Sequence, residues 1–298
     1  MVQIVDTAWR SLEDGTYESG LRIWRDGMET LDFLPVAPGK HLNWAFRGPK
    51  RCVGNIDPSG KYVKCPEDAI ILRQGARCGP CSAIDFYDPC IRCDGRTCLA
   101  SEARKTQCDV SDYAIYVVLF NDSTIKVGVS SAGRVQLRWI EQGADYGGII
   151  TQVTGGRKAR RLEDRIGKRA NVTKVVRAER KIKSLQDSLN IEAAQTLVDD
   201  FIVGIEHLEL GTEVKLEDLS KYYSLPILET KPKPWRKRSE PIDQRSLVGD
   251  VVGMKGSLLV TRIASSCTVI DLRQVIGYSL ESDGDITMVT QSGLMDYF

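Results

Sequence analysis

Two short cysteine pairs, Cys78-x2-Cys81 and Cys90-x2-Cys93, are the residues most plainly spaced for chemistry. Cys52 and Cys65 precede the first pair and Cys98 and Cys108 follow the second, so eight of the nine cysteines divide into two sets of four. Zinc favours four soft ligands in a tetrahedron, and a two-residue gap lets a tight turn aim both sulfurs at one ion. Gly79-Pro80 inside the first pair and Asp88-Pro89 ahead of the second suit such turns. Two structural zinc sites are therefore expected, one on Cys52, Cys65, Cys78 and Cys81 and one on Cys90, Cys93, Cys98 and Cys108. An iron–sulfur cluster also takes four cysteines and stays open as the alternative. Disulfides fit less well, because a cytosolic chain keeps its thiols reduced, and redox catalysis needs fewer cysteines. Residues 52–112 contain few apolar runs, so metal rather than hydrophobic burial is expected to staple this loop-rich segment.

A second group with chemical capacity lies between Tyr113 and Ile166. Tyr113–Phe120 is an apolar β-type run, Asn121–Thr124 supplies a turn and Ile125–Val129 resumes β-type residues, which reads as a hairpin. Arg134–Gln142 predicts a helix, with Val135, Trp139 and Ile140 on one face and Arg134 and Arg138 one turn apart on another. Arg157–Ile166 predicts a further helix, with Ala159, Leu162 and Ile166 on one side, and it carries Glu163. Taken singly, Tyr116 reads as a half-buried strand residue and Gly128 as a strand-end glycine. Arg134 reads as a solvated helix residue, and Glu163 as a partner of Arg160 or Lys158.

Together, and in this order, Ala114-Ile-Tyr116, Lys126-Val-Gly128, Arg134 and Glu163 resemble the signature of the GIY-YIG nucleases. Alanine stands where that family has its first glycine, and Lys126 where it has its second tyrosine. The resemblance implies phosphodiester hydrolysis. Tyr116 and a metal-bound water would serve the nucleophile, Arg134 would neutralise the phosphate and Glu163 would hold Mg²⁺ or Mn²⁺. These roles have a physical basis, since an attacking water needs its pKa lowered and the developing phosphorane charge needs fixed positive partners.

The chain has a net charge of only +1, yet residues 157–183 hold twelve Lys or Arg against three acids, a local excess of nine cations. Such segregation suits a polyanion, most simply a nucleic-acid backbone; a solvated helix face is the plainer alternative. Lys126, Arg138, Arg157, Lys158, Arg160, Arg161, Arg177, Arg180 and Lys181 are the candidate contacts to DNA or RNA, with RNA slightly preferred. Two activities follow. One is a metal-dependent endonuclease, which the survival of Tyr116, Arg134 and Glu163 favours. The other is an RNA- or tRNA-binding protein, or an RNA-modification enzyme or subunit, that reuses the scaffold without cleavage, and Lys126 favours it.

These groups need elements to position them. Residues 1–51 show β-type runs at Leu21–Trp24, Thr30–Leu34 and His41–Phe46, a small antiparallel region leading into Cys52. The cysteine segment (52–112) and the GIY-YIG-like α/β domain (113–228) follow. Within the latter, apolar periodicity predicts added helices over Val172–Leu189, Ile191–Leu208 and Lys215–Tyr223, with the basic face outward. Residues 229–241 read as a linker carrying Trp235, either a base-stacking residue or one docked on its own protein. Residues 242–298 hold closely spaced strands at Leu247–Gly256, Ser257–Arg262, Cys267–Leu272, Ile276–Leu280 and Asp285–Thr290, expected as a small C-terminal β-barrel or sheet. The expected class is α+β.

No apolar segment approaches the roughly 18 residues of a membrane span, and Met1–Arg10 lacks the plan of a signal peptide, so a cytoplasmic location is expected. In its cysteine block and in Arg138-Trp-Ile-Glu-Gln-Gly-Ala144, and more loosely at both ends, the chain also resembles an uncharacterised prokaryotic domain-of-unknown-function family. That resemblance implies architecture more than activity.

Overall fold

The computed structural model describes residues 2–282 apart from 73, 169–171, 174, 206–207, 209–212 and 238. Strands β1 (Val2–Ser11), β2 (Tyr17–Arg25), β3 (Asp32–Pro35) and β4 (His41–Arg47) come first. The cysteine segment holds a short hairpin, β5 (Asn55–Ile56) and β6 (Tyr62–Val63), then helices α1 (Gly79–Ile84), α2 (Asp88–Ile91) and α3 (Glu102–Val110). The middle of the chain runs β7 (Asp112–Leu119), β8 (Ile125–Ser131), α4 (Val135–Gln142), β9 (Tyr146–Thr154) and α5 (Gly156–Ile166). It continues with β10 (Val172–Thr173), α6 (Ala178–Lys183), α7 (Ile191–Val203) and β11 (Glu217–Asp218). Last come β12 (Lys233–Pro234), β13 (Ser246–Lys255), β14 (Leu258–Ile263), β15 (Ser266–Asp271) and β16 (Ser279–Ser282).

Strands from both sides of the cysteine segment and the middle of the chain, β1–β4 and β12–β16, form one open sheet of nine, ordered β12-β15-β14-β13-β4-β16-β1-β2-β3, and not a closed C-terminal barrel. Leu247 pairs with Trp44, while Leu280 lies between Phe46 on one side and Val2 on the other. Residues 229–241 contribute an edge strand, with β12 parallel to β15. Trp235 is docked on its own protein: its Nε1 donates to the Ser246 carbonyl at 2.8 Å and its ring stands edge-on to Phe46 at 5.2 Å. The expected strand Asp285–Thr290 lies outside the described residues, as do Arg169 and Lys174 of the basic run.

The second sheet has the order β10-β8-β7-β9-β11, with β7 antiparallel to both β8 and β9. Ala114, Tyr116, Val118 and Phe120 of one face pack with α4 and the nine-stranded sheet. Ile115, Val117 and Leu119 of the other face pack with α5 and α7. A strand covered on both faces must be almost wholly apolar, which is why this run stands out in the sequence. β9 does not stand out, because Gly147 and Gly148 weaken its pattern. The first of these glycines leaves room for an indole: a Cβ at Gly147 would sit 2.5 Å from Cδ2 of Trp139.

The helix expected over Val172–Leu189 is instead β10 and then α6, because the β-branched Val172 and Thr173 pair in parallel with Ile125 and Lys126. Lys215–Tyr223 is likewise β11 followed by a 3-10 turn, Ser220–Tyr222. α7 starts where expected, with the Asn190 side chain accepting from the Ala193 N–H at 2.8 Å. No helix among the described residues is long and apolar enough to cross a membrane.

A buried ion pair joins the two sheets. Lys255 Nζ donates to Asp145 Oδ1 at 2.5 Å, and the other carboxylate oxygen accepts from the Asn121 N–H at 2.8 Å. Burial pushes the Asp145 carboxyl up while Lys255 pulls it down. Lys255→Ala strands that carboxylate away from water and should cost about 3–5 kcal/mol in denaturant unfolding. Pairing it with Asp145→Leu should recover most of the loss; a double variant no better than the single one would show that the pair is not the junction.

Candidate metal centre and lysine cluster

The sulfurs of Cys52, Cys65, Cys78 and Cys81 all lie within 4.8 Å of one another. Cys65 and Cys78 are 3.9 Å apart, close to the roughly 3.8 Å edge of a tetrahedron with zinc–sulfur bonds near 2.3 Å. Cys78 caps α1, whose Pro80 is one of the first two helical residues, and Cys81 sits one turn in, so the Cys-x2-Cys spacing becomes one helical turn. The Gly54 and Cys78 N–H groups donate to Cys52 Sγ at 3.4 and 3.2 Å. Burial pushes the Cys52 and Cys81 thiols up, whereas the Cys81 N–H pulls Cys78 down. A divalent cation resolves that conflict, because it discharges thiolates that burial alone would keep protonated. The donor set fits zinc.

Asp85 ties this knuckle to β5 and to the start of α2. It is 4% exposed, accepts from the N–H groups of Ile56, Tyr87 and Asp88, and pairs with Arg77 at 3.1 Å.

The second expected set is looser. Cys90 lies on α2, Cys108 on α3, and Cys93 and Cys98 in the connection between them. Cys93 and Cys108 are close enough to Cys90 to push its thiol up, after burial. Among the described residues, however, only the first four cysteines are drawn into a ligand cluster.

Tyr116 stands in the middle of β7, 1% exposed and opposite Gly128 of β8. The ring lies across that glycine, where a Cβ would sit 2.5 Å from Cζ. Gln142, the last residue of α4, is the hub. Its Nε2 donates to the Tyr116 hydroxyl at 2.7 Å, its Oε1 accepts from Lys126 Nζ, and its backbone carbonyl accepts from Lys181 Nζ at 2.5 Å. That carbonyl belongs to the negative end of the helix dipole. The two ammonium groups also lie over rings, Lys126 at 5.9 Å from Tyr116 and Lys181 at 5.5 Å from Phe120. Among the described residues neither forms a salt bridge.

Burial, reinforced by Arg138 and opposed by Glu163, lowers the Lys126 pKa to about 8. Burial, reinforced by Arg273 and Lys126 and opposed by Asp271, which pairs with Arg273 at 2.6 Å, lowers that of Lys181 to about 7. Burial raises the Tyr116 pKa, so its hydroxyl is a neutral hydrogen-bonding group at pH 7. The carboxylates that act on them, Glu163 on Lys126 and Asp271 on Lys181, are each paired with an arginine, Arg160 and Arg273, so the crowded ammonium groups are suited to accept a further anion.

Glu163 faces this group, acting on both Tyr116 and Lys126, while its Oε2 pairs with Arg160 at 2.9 Å. Arg134 does not join it. A 3-10 turn, Ala132–Arg134, precedes α4 and leaves Arg134 at the cap, exposed and donating to Glu141 at 2.7 Å. The arginine that acts on the Tyr116 hydroxyl is Arg138. Of the other basic candidates, Arg157 pairs with Asp109 at 3.6 Å, Arg180 with Asp122 at 2.6 Å, and Arg161 donates to the Gly95 carbonyl at 2.7 Å. Lys158 and Arg177 are exposed. The basic face of α6 is thus not wholly outward, since Lys181 turns in.

Sequence reasoning misses Gln142 and Arg273. Gln142 has a signal, standing one turn from Arg138 in the run Arg138–Ala144. Arg273 has none, because it follows β15 in a 3-10 turn far along the chain. No curated protein and no solved structure matches the chain. One family does, over residues 39–280, which run from just before β4 through the whole cysteine segment and the lysine cluster to the first half of β16; the chain belongs to that family, described as a protein of unknown function, DUF2797.

Proposed function

We propose that this chain is a zinc-binding, nucleic-acid-interacting protein that seats a backbone phosphate on Lys126, Arg138 and Lys181. The observation that carries the reading is the pair of desolvated lysines that form no salt bridge among the described residues, their nearby carboxylates Glu163 and Asp271 being paired with Arg160 and Arg273. A phosphate supplies the missing charge, and the exposed Lys158 and Arg177 extend the cationic surface along the strand. A cytoplasmic setting would keep the thiols available to metal. The second cysteine set closes on a second zinc in this reading. Arg104, 9% exposed beside Cys90 and with its Nε unpartnered, would then find its counter-charge in the thiolates.

Cleavage at the same pocket is the second reading, favoured by Glu163 facing Tyr116 and Lys126 in a strand, strand, helix, strand, helix order that suits a GIY-YIG-like domain. A Mg²⁺ or Mn²⁺ ion held by Glu163 would polarise the phosphate and lower the pKa of water. Tyr116, fixed by Gln142, would orient the nucleophile, and Arg138 would take the role expected of Arg134.

Labelled single- and double-stranded RNA and DNA, with each metal, separate the readings. Binding without product is expected of a binder. If product forms, Glu163→Gln should abolish it with affinity nearly intact, Arg138→Ala should impair both, and Lys126→Tyr should raise the rate. Wild-type protein that retains none of the four substrates at low salt would refute nucleic-acid binding itself.

A further inference from the structure

The solvent side of β1–β3 carries a row that alternates cations and rings. Register places Arg22 beside Phe33 on this face. Phe33 lies flat across Gly20, where a Cβ would sit 2.7 Å from Cζ of the ring. The Arg10 guanidinium lies over Phe33 at 4.5 Å from the centroid. Arg22 donates to the Tyr62 hydroxyl at 3.0 Å and lies 5.5 Å from that ring. Tyr62 comes from β6, three residues before the metal-site Cys65, so the zinc knuckle forms one wall and the sheet the other. Between them runs an open groove of about 470 Å³ lined by Arg10, Arg22, Phe33, Lys61 and Tyr62. Asp32, which lines the groove, is paired with Arg25 at 2.6 Å, and the Arg10 guanidinium, while lying over Phe33, is paired with Glu18 at 2.5 Å.

We infer that this groove takes the bases of a single-stranded nucleic acid, stacked on Phe33, Tyr62 and the two guanidinium planes. The inference rests on the nucleic-acid reading above but on different residues. Rings and guanidinium planes hold any base by its face, and the flanking cations answer the phosphates, so the site is sequence-tolerant. Asp6 lies 3.9 Å from Arg22 at one end of the groove.

The test compares a labelled oligouridylate of about twelve nucleotides with an abasic phosphate strand of the same length on the full, metal-replete chain. Wild-type protein should bind the base-bearing strand about tenfold more tightly. Phe33→Leu and Tyr62→Leu, which keep apolar cover, should each erode that preference and leave abasic binding unchanged, whereas Arg10→Met should erode the preference and also weaken abasic binding slightly, by the loss of one charge. Lys181→Met should weaken both strands alike. An undiminished base preference in all three groove variants overturns the inference while the phosphate pocket stands. Binding of neither strand to wild-type protein overturns both.

Discussion

Stripping the metal from Cys52, Cys65, Cys78 and Cys81 is expected to unfold residues 52–85, not merely to loosen them. The three buried cysteines have Ala69, Ile71 and Cys78 packed against them, and the segment's other apolar anchor is Val53, which packs on Val5 and Trp24 with Tyr62 and Ala76 beside it. Coordination by four thiolates contributes on the order of 10 kcal/mol in small zinc modules, far beyond what those few apolar neighbours supply. In hydrogen exchange, the amides of Cys52 and Val53, which donate to the Ala69 and Ala76 carbonyls at 2.8 and 2.9 Å, should lose protection in chelator. Elemental analysis should return zinc at one ion for this set, and a second if Cys90, Cys93, Cys98 and Cys108 also close. Iron with sulfide would replace zinc by a cluster, and chelated protein with those amides still protected would mean that metal is not the staple. Tyr62 depends on this knuckle, so chelation should also abolish the base preference of the groove.

Neutralising the lysine pair should stabilise the protein and disable it at once. Lys126 and Lys181 have folded-state pKa values of about 8 and about 7, below the roughly 10.4 of an unfolded chain. Between these values the unfolded chain holds more protons, so their penalty is full below about pH 7 and fades as pH rises toward about 10. A bound phosphate reverses the preference, because it favours the charged forms. Phosphate-backbone affinity should therefore fall as pH climbs through 7 to 9, and binding at pH 8 should take up protons, read from calorimetry in buffers of different ionisation enthalpy. Lys126→Met with Lys181→Met should melt higher than wild type at pH 7, lose that advantage by about pH 10, and bind nucleic acid about a hundredfold more weakly, about tenfold for each ammonium group removed. A variant that melts lower at pH 7 and binds as well would show that the pair is ordinary packing.

The local features of this molecule are legible in its sequence, and its long-range ones are not. Cysteine spacing marks the first metal cluster because a chelating turn is a local object. The β7–β8 hairpin and α5 are legible for the same reason. That Leu280 lies between Val2 and Phe46 is not, since periodicity reveals a strand's faces but not its neighbours. The arginine is an intermediate case. Arg134 and Arg138 share a helical stripe, and which one turns toward Tyr116 depends on where the 3-10 turn gives way to α4. Periodicity assigns Lys181 to a solvated face, but the replacement of the expected long helix by β10 and the short α6 brings it under the carbonyl of Gln142.

The nine-stranded sheet, built from segments far apart in the chain, also sets an order of assembly. During synthesis, β1–β4 emerge ahead of the knuckle and the five-stranded sheet, whose strand pairs are mostly near neighbours in the chain. β4 must wait, because its partners on both sides, β13 and β16, are made only after that second sheet. Until they arrive, its edges are open templates for another chain. The four clustered cysteines are thus made before the largest sheet can close, and a ribosome stalled ahead of Ser246 would release a product with the knuckle complete beside an unpaired, aggregation-prone strand.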